Sequence, residues 1–102
     1  MTIGLLTMIL HLHGIDSLKA KRRIVKSAVE RLRSRFNVSA SEVDAQDSKQ
    51  AAVIGAAVVA NEGSFVDKQL DTIINFLQND GRFYLGKIER EIFTSNYDHT
   101  FF

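Results

Sequence analysis

The chain has 102 residues, of which 45% are hydrophobic and 25% charged, as expected for a single globular domain that buries about 60–70% of its unfolded surface. It contains no cysteine, which excludes disulfide bonds, thiolate nucleophiles and thiolate zinc sites and fits a reducing cytoplasm. The net charge of +1 conceals a strong segregation, because residues 17–35 carry eight cations and one anion while the remaining residues carry five cations and eleven anions.

The first predicted element is a buried β-strand over residues 2–13, a run rich in Ile, Leu and Met that stops at Gly14. This run lacks the basic start of a leader peptide and is much shorter than the roughly 20 residues of a membrane-spanning helix. We therefore expect a strand and no association with a membrane. Asp16 or Ser17 then provides the N-cap of a helix.

Residues 17–35 predict an amphipathic α-helix. With a rotation of about 100° per residue, its apolar side chains fall within about 60° of one direction and form a stripe that faces the core. The stripe consists of Leu18, Val25, Ala28, Val29, Leu32 and Phe36. Most of the positive charge of the chain therefore lies on the other faces of one helix.

Two strands follow the break in the helical pattern at Asn37. Residues 38–46 alternate polar and apolar side chains, as in a half-exposed strand, and residues 47–49 form a turn. Residues 51–60 are apolar without alternation, which predicts a strand that is central in its sheet.

A second helix and a last strand complete the pattern. Ser64 and Asp67 have the spacing of a capping box at the start of a helix. Apolar residues then recur at helical spacing up to a stop signal at residues 79–81. Residues 82–94, in which apolar and charged side chains alternate, predict the last strand.

The element order β-α-β-β-α-β predicts an α+β, ferredoxin-like sandwich with two helices on one face of a four-stranded antiparallel sheet. We expect a single domain over residues 1–94 and a C-terminal tail over residues 95–102. The first and third strands lie at the centre of such a sheet, and here they are apolar on both sides. One apolar face is left without a helix, which predicts a homodimer formed through that face.

The basic helix is the candidate functional element. Its predicted nucleic-acid contacts are Lys19, Lys21, Arg22, Arg23, Lys26 and Arg33. Several of these cations crowd the first turns, where the helix macrodipole is positive and each cation costs about 0.3–1 kcal/mol. Because unpaired backbone N–H groups also point out of this end, the pattern predicts an anion site formed by Ser17, Lys19 and Arg22. Two alternatives need no partner molecule: the cations form an ordinary solvated face, or they pair with acidic side chains of the strands.

Two other groups of polar residues are weaker candidates. Glu42, Asp44 and Asp47 place at most two carboxylates on one face of a strand, so we expect salt bridges there and neither a magnesium site nor a general base. His11 and His13 share a strand face but have no third ligand nearby in the sequence. We therefore predict no catalytic residues, no metal and no cofactor.

Four segments resemble, in this order, the YlxP-like family of small bacterial proteins. They are SLKAKRR (residues 17–23), RLRSRFNVS (31–39), EVDAQD (42–47) and GAAVVAN (55–61), and the likeness spans about residues 2–93. That family is a domain of unknown function with a ferredoxin-like fold. Its genes commonly lie beside those for translation initiation and ribosome maturation, so the resemblance implies a role near RNA or the ribosome.

Three functional hypotheses remain open. The leading one is a non-enzymatic cytoplasmic protein, dimeric in solution, that binds structured RNA or a ribosomal particle through the helix at residues 17–35. The second is a protein-interaction or scaffold module that meets a partner with its apolar sheet face. The third is a small-anion sensor or an enzyme that uses the helix start. Residues 51–60 contain no aromatic ring, so we do not expect the base stacking of RNA-recognition motifs, which share this topology.

Overall fold

The computed structural model describes residues 1–96 and shows six elements in the order β-α-β-β-α-β. They are β1 (Thr2–Leu12), α1 (Leu18–Arg35), β2 (Ser39–Asp44), β3 (Ala51–Ala60), α2 (Gly63–Gln78) and β4 (Phe83–Thr94). The strands form one antiparallel sheet in the order β2-β3-β1-β4, with β1 and β3 at its centre. This arrangement confirms the predicted ferredoxin-like fold.

Both helices cover the sheet face that is formed by the even-numbered residues of the central strands. The buried side chains of this face are Leu6, Met8, Leu10 and Leu12 of β1 and Ala52, Ile54, Ala56 and Val58 of β3. The apolar stripes of α1 and α2 join them in one core, with Leu32 and Leu70 fully buried. Gly4 lets α2 approach β1 closely, because a Cβ atom at this position would overlap the side chains of Val66 and Leu70.

The opposite face of the sheet, called the open face below, has no helix over it in the part of the chain that the structure describes. It is formed by the odd-numbered residues of β1 and β3, and Leu5, Ile9 and Val53 are only half-buried there. Val59 and Phe93 of this face expose 53% and 46% of their surfaces. The predicted uncovered apolar face is therefore confirmed.

Strand β2 is shorter than predicted, since it ends at Asp44 and not at residue 46. The register against β3 shifts between Glu42 and Asp44, which marks a β-bulge. Ala45 follows with a φ of 61°, a left-handed conformation that turns the chain out of the sheet. The alternation of polar and apolar residues continues through this turn, so the sequence pattern predicted an end two residues beyond the actual end of the strand.

The predicted capping box of α2 is wrong. The helix begins at Gly63 with Glu62 as its N-cap, and no side chain caps it. The N–H of Val66 already donates to the carbonyl oxygen of Glu62 at 3.2 Å. The first backbone hydrogen bond therefore forms two residues earlier than a cap at Ser64 allows, and Ser64 lies within the first turn.

The ladder between β1 and β4 extends past the predicted domain end at residue 94. The N–H of Ser95 donates a hydrogen bond to the carbonyl oxygen of Met1 at 2.8 Å. The amino group of Met1 donates one to the carbonyl oxygen of Ser95 at 3.2 Å. The rest of the predicted tail, residues 97–102, lies outside the described residues. Within residues 1–96, neither helix has the length and apolar character that crossing a membrane requires.

Candidate nucleic-acid interface

Helix α1 starts at Ser17, which confirms one of the two predicted caps. The hydroxyl oxygen of Ser17 accepts a hydrogen bond from the Ala20 N–H at 3.1 Å, and its carbonyl oxygen accepts one from the Lys21 N–H at 3.1 Å. No acidic side chain lies in the first turn. Lys19 and Arg22, which are both exposed, therefore stand at the positive end of the helix dipole as predicted, and the anion site that they form with Ser17 stays a prediction.

Lys21 does not belong to the exposed basic surface, so its assignment as a nucleic-acid contact is corrected. Its side chain has no exposed surface, and its ammonium group lies 2.7 Å from Glu42 Oε2. The same group donates hydrogen bonds to the carbonyl oxygens of Ala45 at 2.8 Å and Gln46 at 3.5 Å. Lys21 therefore joins α1 to the end of β2 and the turn after it.

The sequence contained a signal for this burial. At about 100° per residue, Lys21 falls between Ala28 and Leu32 on the helical wheel, inside the apolar stripe of α1. A cation in that direction points at the sheet, where a carboxylate must meet it. Glu42 supplies that carboxylate, which confirms its predicted salt bridge.

The other five predicted contacts remain exposed and form one surface, called the outer flank. It consists of Lys19, Arg22, Arg23, Lys26 and Arg33. Within residues 1–96, the one carboxylate within ion-pair distance of this set belongs to Glu30, whose Oε1 lies 3.9 Å from the ammonium of Lys26. Both side chains of that pair are highly exposed, so it neutralises little of the charge.

A shallow groove of about 280 Å³ runs between the outer flank and the edge strand β2. It is lined by Arg22, Val25, Lys26, Val29, Arg33, Ser41 and Glu42. Arg33 is held at its wall, because the guanidinium group donates to the carbonyl oxygen of Ala40 at 3.1 Å from Nε and 2.7 Å from Nη2. Three cations therefore border a groove whose one carboxylate already faces the ammonium of Lys21.

On the opposite flank of α1, Arg31 pairs with the loop after α2, and Arg31 and Arg35 both lie over an aromatic ring of α2. Arg31 Nη1 lies 3.2 Å from Asp80 Oδ2, and the guanidinium carbons of Arg31 and Arg35 lie 5.0 and 5.2 Å from the centre of the Phe76 ring. Hydrogen bonds from Arg82, together with the charges of Arg82 and Arg31, hold the pKa of Asp80 below its usual range. The free positive charge of α1 is thus concentrated on the outer flank.

His11, His13 and the acidic residues Glu42, Asp44 and Asp47 were the weaker candidates in the sequence. Within residues 1–96, no three His, Asp or Glu side chains are placed to hold a metal ion. The rings of His11 and His13 stack on the ring of Tyr84 at centroid distances of 4.8 and 5.0 Å. Asp44 accepts a hydrogen bond from the Ala45 N–H at 2.8 Å, and in the described residues neither Asp44 nor Asp47 has the salt bridge that we expected.

Comparisons with known proteins place the chain in a family. The family model described as a protein of unknown function (DUF503) matches residues 3–90. The "Uncharacterized protein YlxP" of Bacillus subtilis (strain 168) is 32% identical over 81 residues, which cover 79% of this chain and 83% of that protein. A solved structure of a de novo designed protein with a ferredoxin fold is similar over 97% of this chain and 96% of its own, at 16% identity and a TM-score of 0.43. The chain belongs to the DUF503 family, whose function is unknown, in agreement with its resemblance to YlxP-like proteins.

Proposed function

We propose that this protein is a non-enzymatic, cytoplasmic RNA-binding protein that attaches to structured RNA or a ribosomal particle through the outer flank of α1. The observation that carries the proposal is the outer flank itself, five exposed cations of one helix with a single weak acidic neighbour. A cationic surface of this kind binds phosphates by releasing their counterions, and it needs no catalytic group to do so.

The structure supports this proposal by separating the outer flank from the other cations of α1. Lys21 is bound by Glu42, and Arg31 is bound by Asp80, so these two cations serve the fold. Were all the cations of α1 paired in this way, pairing with acidic side chains would be a sufficient explanation. Pairing within the described residues therefore does not account for the outer flank, and a polyanionic partner is one explanation of it.

The test is a comparison of two charge-matched variants in RNA binding. Replacing Arg22, Arg23 and Lys26 with Ala removes three cations from the outer flank. Replacing Arg35, Lys68 and Lys87, which are exposed on other surfaces, removes the same charge elsewhere. We expect the log–log salt dependence of the wild type to have a slope of roughly −4, at 0.7–0.9 per contact for about five contacts.

The outer-flank variant should bind RNA at least about tenfold more weakly and show a flatter salt slope, while the control variant stays within about twofold of the wild type. If both variants lose RNA affinity equally, the loss reflects the net charge of the protein and not the position of the cations. Unchanged affinity in a folded outer-flank variant would refute the proposal.

The open face favours a second role, association between two copies of the chain. Its apolar side chains, such as Leu5, Ile9 and Val53, lie side by side on the central strands, and a contiguous exposed apolar surface usually marks an interface. We propose a homodimer formed through this face. If a different protein covers the face instead, the chain is the interaction module of the second hypothesis, and a nuclease-resistant complex with that protein distinguishes the two.

A further inference from the structure

We infer that the outer flank and its groove bind A-form, double-stranded RNA, with the cations at phosphates and with the carboxylate of Glu42 at a ribose 2′-hydroxyl group. This inference rests on the proposed function and names the ligand of the same surface. Three features of the structure carry it: the absence of stacking rings, the rigidity of the cation array and the mixed polarity of the groove.

The outer flank offers charge without aromatic rings. Within residues 1–96, the exposed Phe and Tyr side chains lie elsewhere, with Phe65 in α2 and Tyr84 and Phe93 in β4. Phe76, which is half-buried, lies beneath Arg31 on the opposite flank. Proteins hold single strands largely by stacking bases on aromatic rings, so this surface lacks the interaction that favours a single strand.

The cations are fixed on a rigid support. From Lys19 to Arg33 the helix advances by about 21 Å at 1.5 Å per residue. The helix is fastened to the sheet by its buried stripe, by the Lys21–Glu42 ion pair and by the bonds of Arg33 to Ala40. Such an array suits phosphates that a duplex already holds at set positions, whereas a flexible strand loses conformational entropy when it is made to fit.

The groove beside the cations combines donors with an acceptor. Arg22, Lys26 and Arg33 are donors only, but the side chain of Glu42 is 19% exposed and its carboxylate repels a phosphate while it accepts a hydrogen bond from a hydroxyl group. The hydroxyl group of Ser41 lies on the other face of β2, because Ser41 pairs with Gly55 of the open face and Glu42 pairs with Ile54, so Glu42 is the acceptor of this groove. A ligand that carries hydroxyl groups between two rows of phosphates matches this arrangement of cations beside an acceptor. The wide minor groove of A-form RNA presents its 2′-hydroxyl groups in that way.

The experiment measures fluorescence anisotropy of the intact protein with three labelled probes at the same salt concentration. The probes are an RNA duplex of about 20 base pairs, a DNA duplex of the same sequence and a uridine single strand of equal length, all longer than the about 16 base pairs that known duplex-binding domains cover. We expect the RNA duplex to bind at least about tenfold more tightly than the single strand and about fivefold more tightly than the DNA duplex. The Lys21→Met/Glu42→Leu variant, which lacks the acceptor and leaves no unpaired buried charge, should lose the preference for RNA over DNA, whereas Ser41→Ala, which changes the open face, should keep it.

The outcomes distinguish a failure of this inference from a failure of the proposed function. Equal or tighter binding of the single strand, or equal binding of the DNA duplex, overturns the assignment of A-form RNA and leaves the proposed function standing if the outer-flank variant still binds RNA more weakly. An unchanged RNA preference in the Lys21→Met/Glu42→Leu variant overturns the role of the groove. Failure of the wild type to bind either RNA probe overturns this inference, and failure to bind a folded ribosomal RNA and ribosomal particles as well overturns the proposed function.

Discussion

The ammonium group of Lys21 and the carboxylate of Glu42 form an ion pair of 2.7 Å between a helix and an edge strand, and the lysine side chain is completely buried. The same ammonium group donates to the carbonyl oxygen of Ala45, a residue in the left-handed conformation. That carbonyl oxygen also accepts the N–H of Ser48 at 3.0 Å. Lys21 thus fastens the turn between β2 and β3 to α1, and its contribution is to stability and not to the binding surface.

Lys21→Met should lower the free energy of unfolding by about 3 kcal/mol, because the substitution leaves the carboxylate of Glu42 uncompensated in a mostly buried site. The double variant Lys21→Met/Glu42→Leu should recover most of this loss, since both charges are then gone. Urea denaturation of the two single variants and the double variant measures the coupling. A loss of stability below about 1 kcal/mol would indicate a solvent-screened pair.

Lys19→Gln should leave stability unchanged or raise it slightly, because an exposed cation at the start of a helix is unfavourable by about 0.3–1 kcal/mol. If the predicted anion site exists, phosphate raises the melting temperature of the wild type above that in chloride at equal ionic strength. This difference should shrink in Lys19→Gln. A phosphate effect of the same size in both proteins would place the anion elsewhere.

Asp80→Asn should destabilise the protein at neutral pH by about 1–3 kcal/mol, because Asp80 accepts charge-assisted hydrogen bonds from Arg31 and Arg82. These interactions lower the pKa of the folded-state carboxyl group, so the stabilisation is complete above its unfolded pKa and is lost as the pH falls through the folded value. The difference between wild type and variant should be constant above about pH 5 and should close at lower pH. The exposed Asp47→Asn is the control, and a difference that persists in acid would mean that Asp80 acts through shape and not through charge.

Val53→Lys and Ile54→Lys should separate the two faces of β3. Ile54 has no exposed surface on the helix-covered face, so a lysine there is a buried unpaired charge and should prevent folding. Val53 lies on the open face, where a lysine should give a folded and soluble monomer. Circular dichroism and light scattering measure the two properties. A wild type that is monomeric at high concentration contradicts the homodimer.

The sequence predicted the fold well because hydrophobic periodicity is a local property. The stripe of α1 and the even-numbered residues of β1 lie where their spacing places them, with Leu32 and Leu10 fully buried. The cap of α2 and the end of β2 were mispredicted locally, whereas the error at Lys21 concerns contacts between distant segments. The burial of Lys21 depends on Glu42 and on the turn at Ala45. Both partners lie outside α1, so the number of charges along the helix does not reveal them.

The same limit applies to the candidate site. The sequence identified the outer flank because its cations follow one another along a single helix. It did not show that Arg33 bonds to the edge strand, or that Arg31 is held by Asp80, which lies 49 residues further along the chain. Both contacts depend on how β2 and the loop after α2 lie against α1, and helical spacing contains no information about either. A scan of the helical wheel for cations within the apolar stripe would have removed Lys21 from the set.

Because both helices lie on one face of the sheet, association through the open face would determine how many RNA segments the protein binds at once. In a homodimer joined through the open faces, the two sheets lie back to back about 10 Å apart, and each α1 lies on an outer surface. The dimer then carries two outer flanks, each beside the edge strand β2 of its own sheet. Such a dimer would tether two separate RNA segments, so a long RNA with two duplex arms should gain affinity by avidity over a single arm, and Val53→Lys should abolish that gain alone.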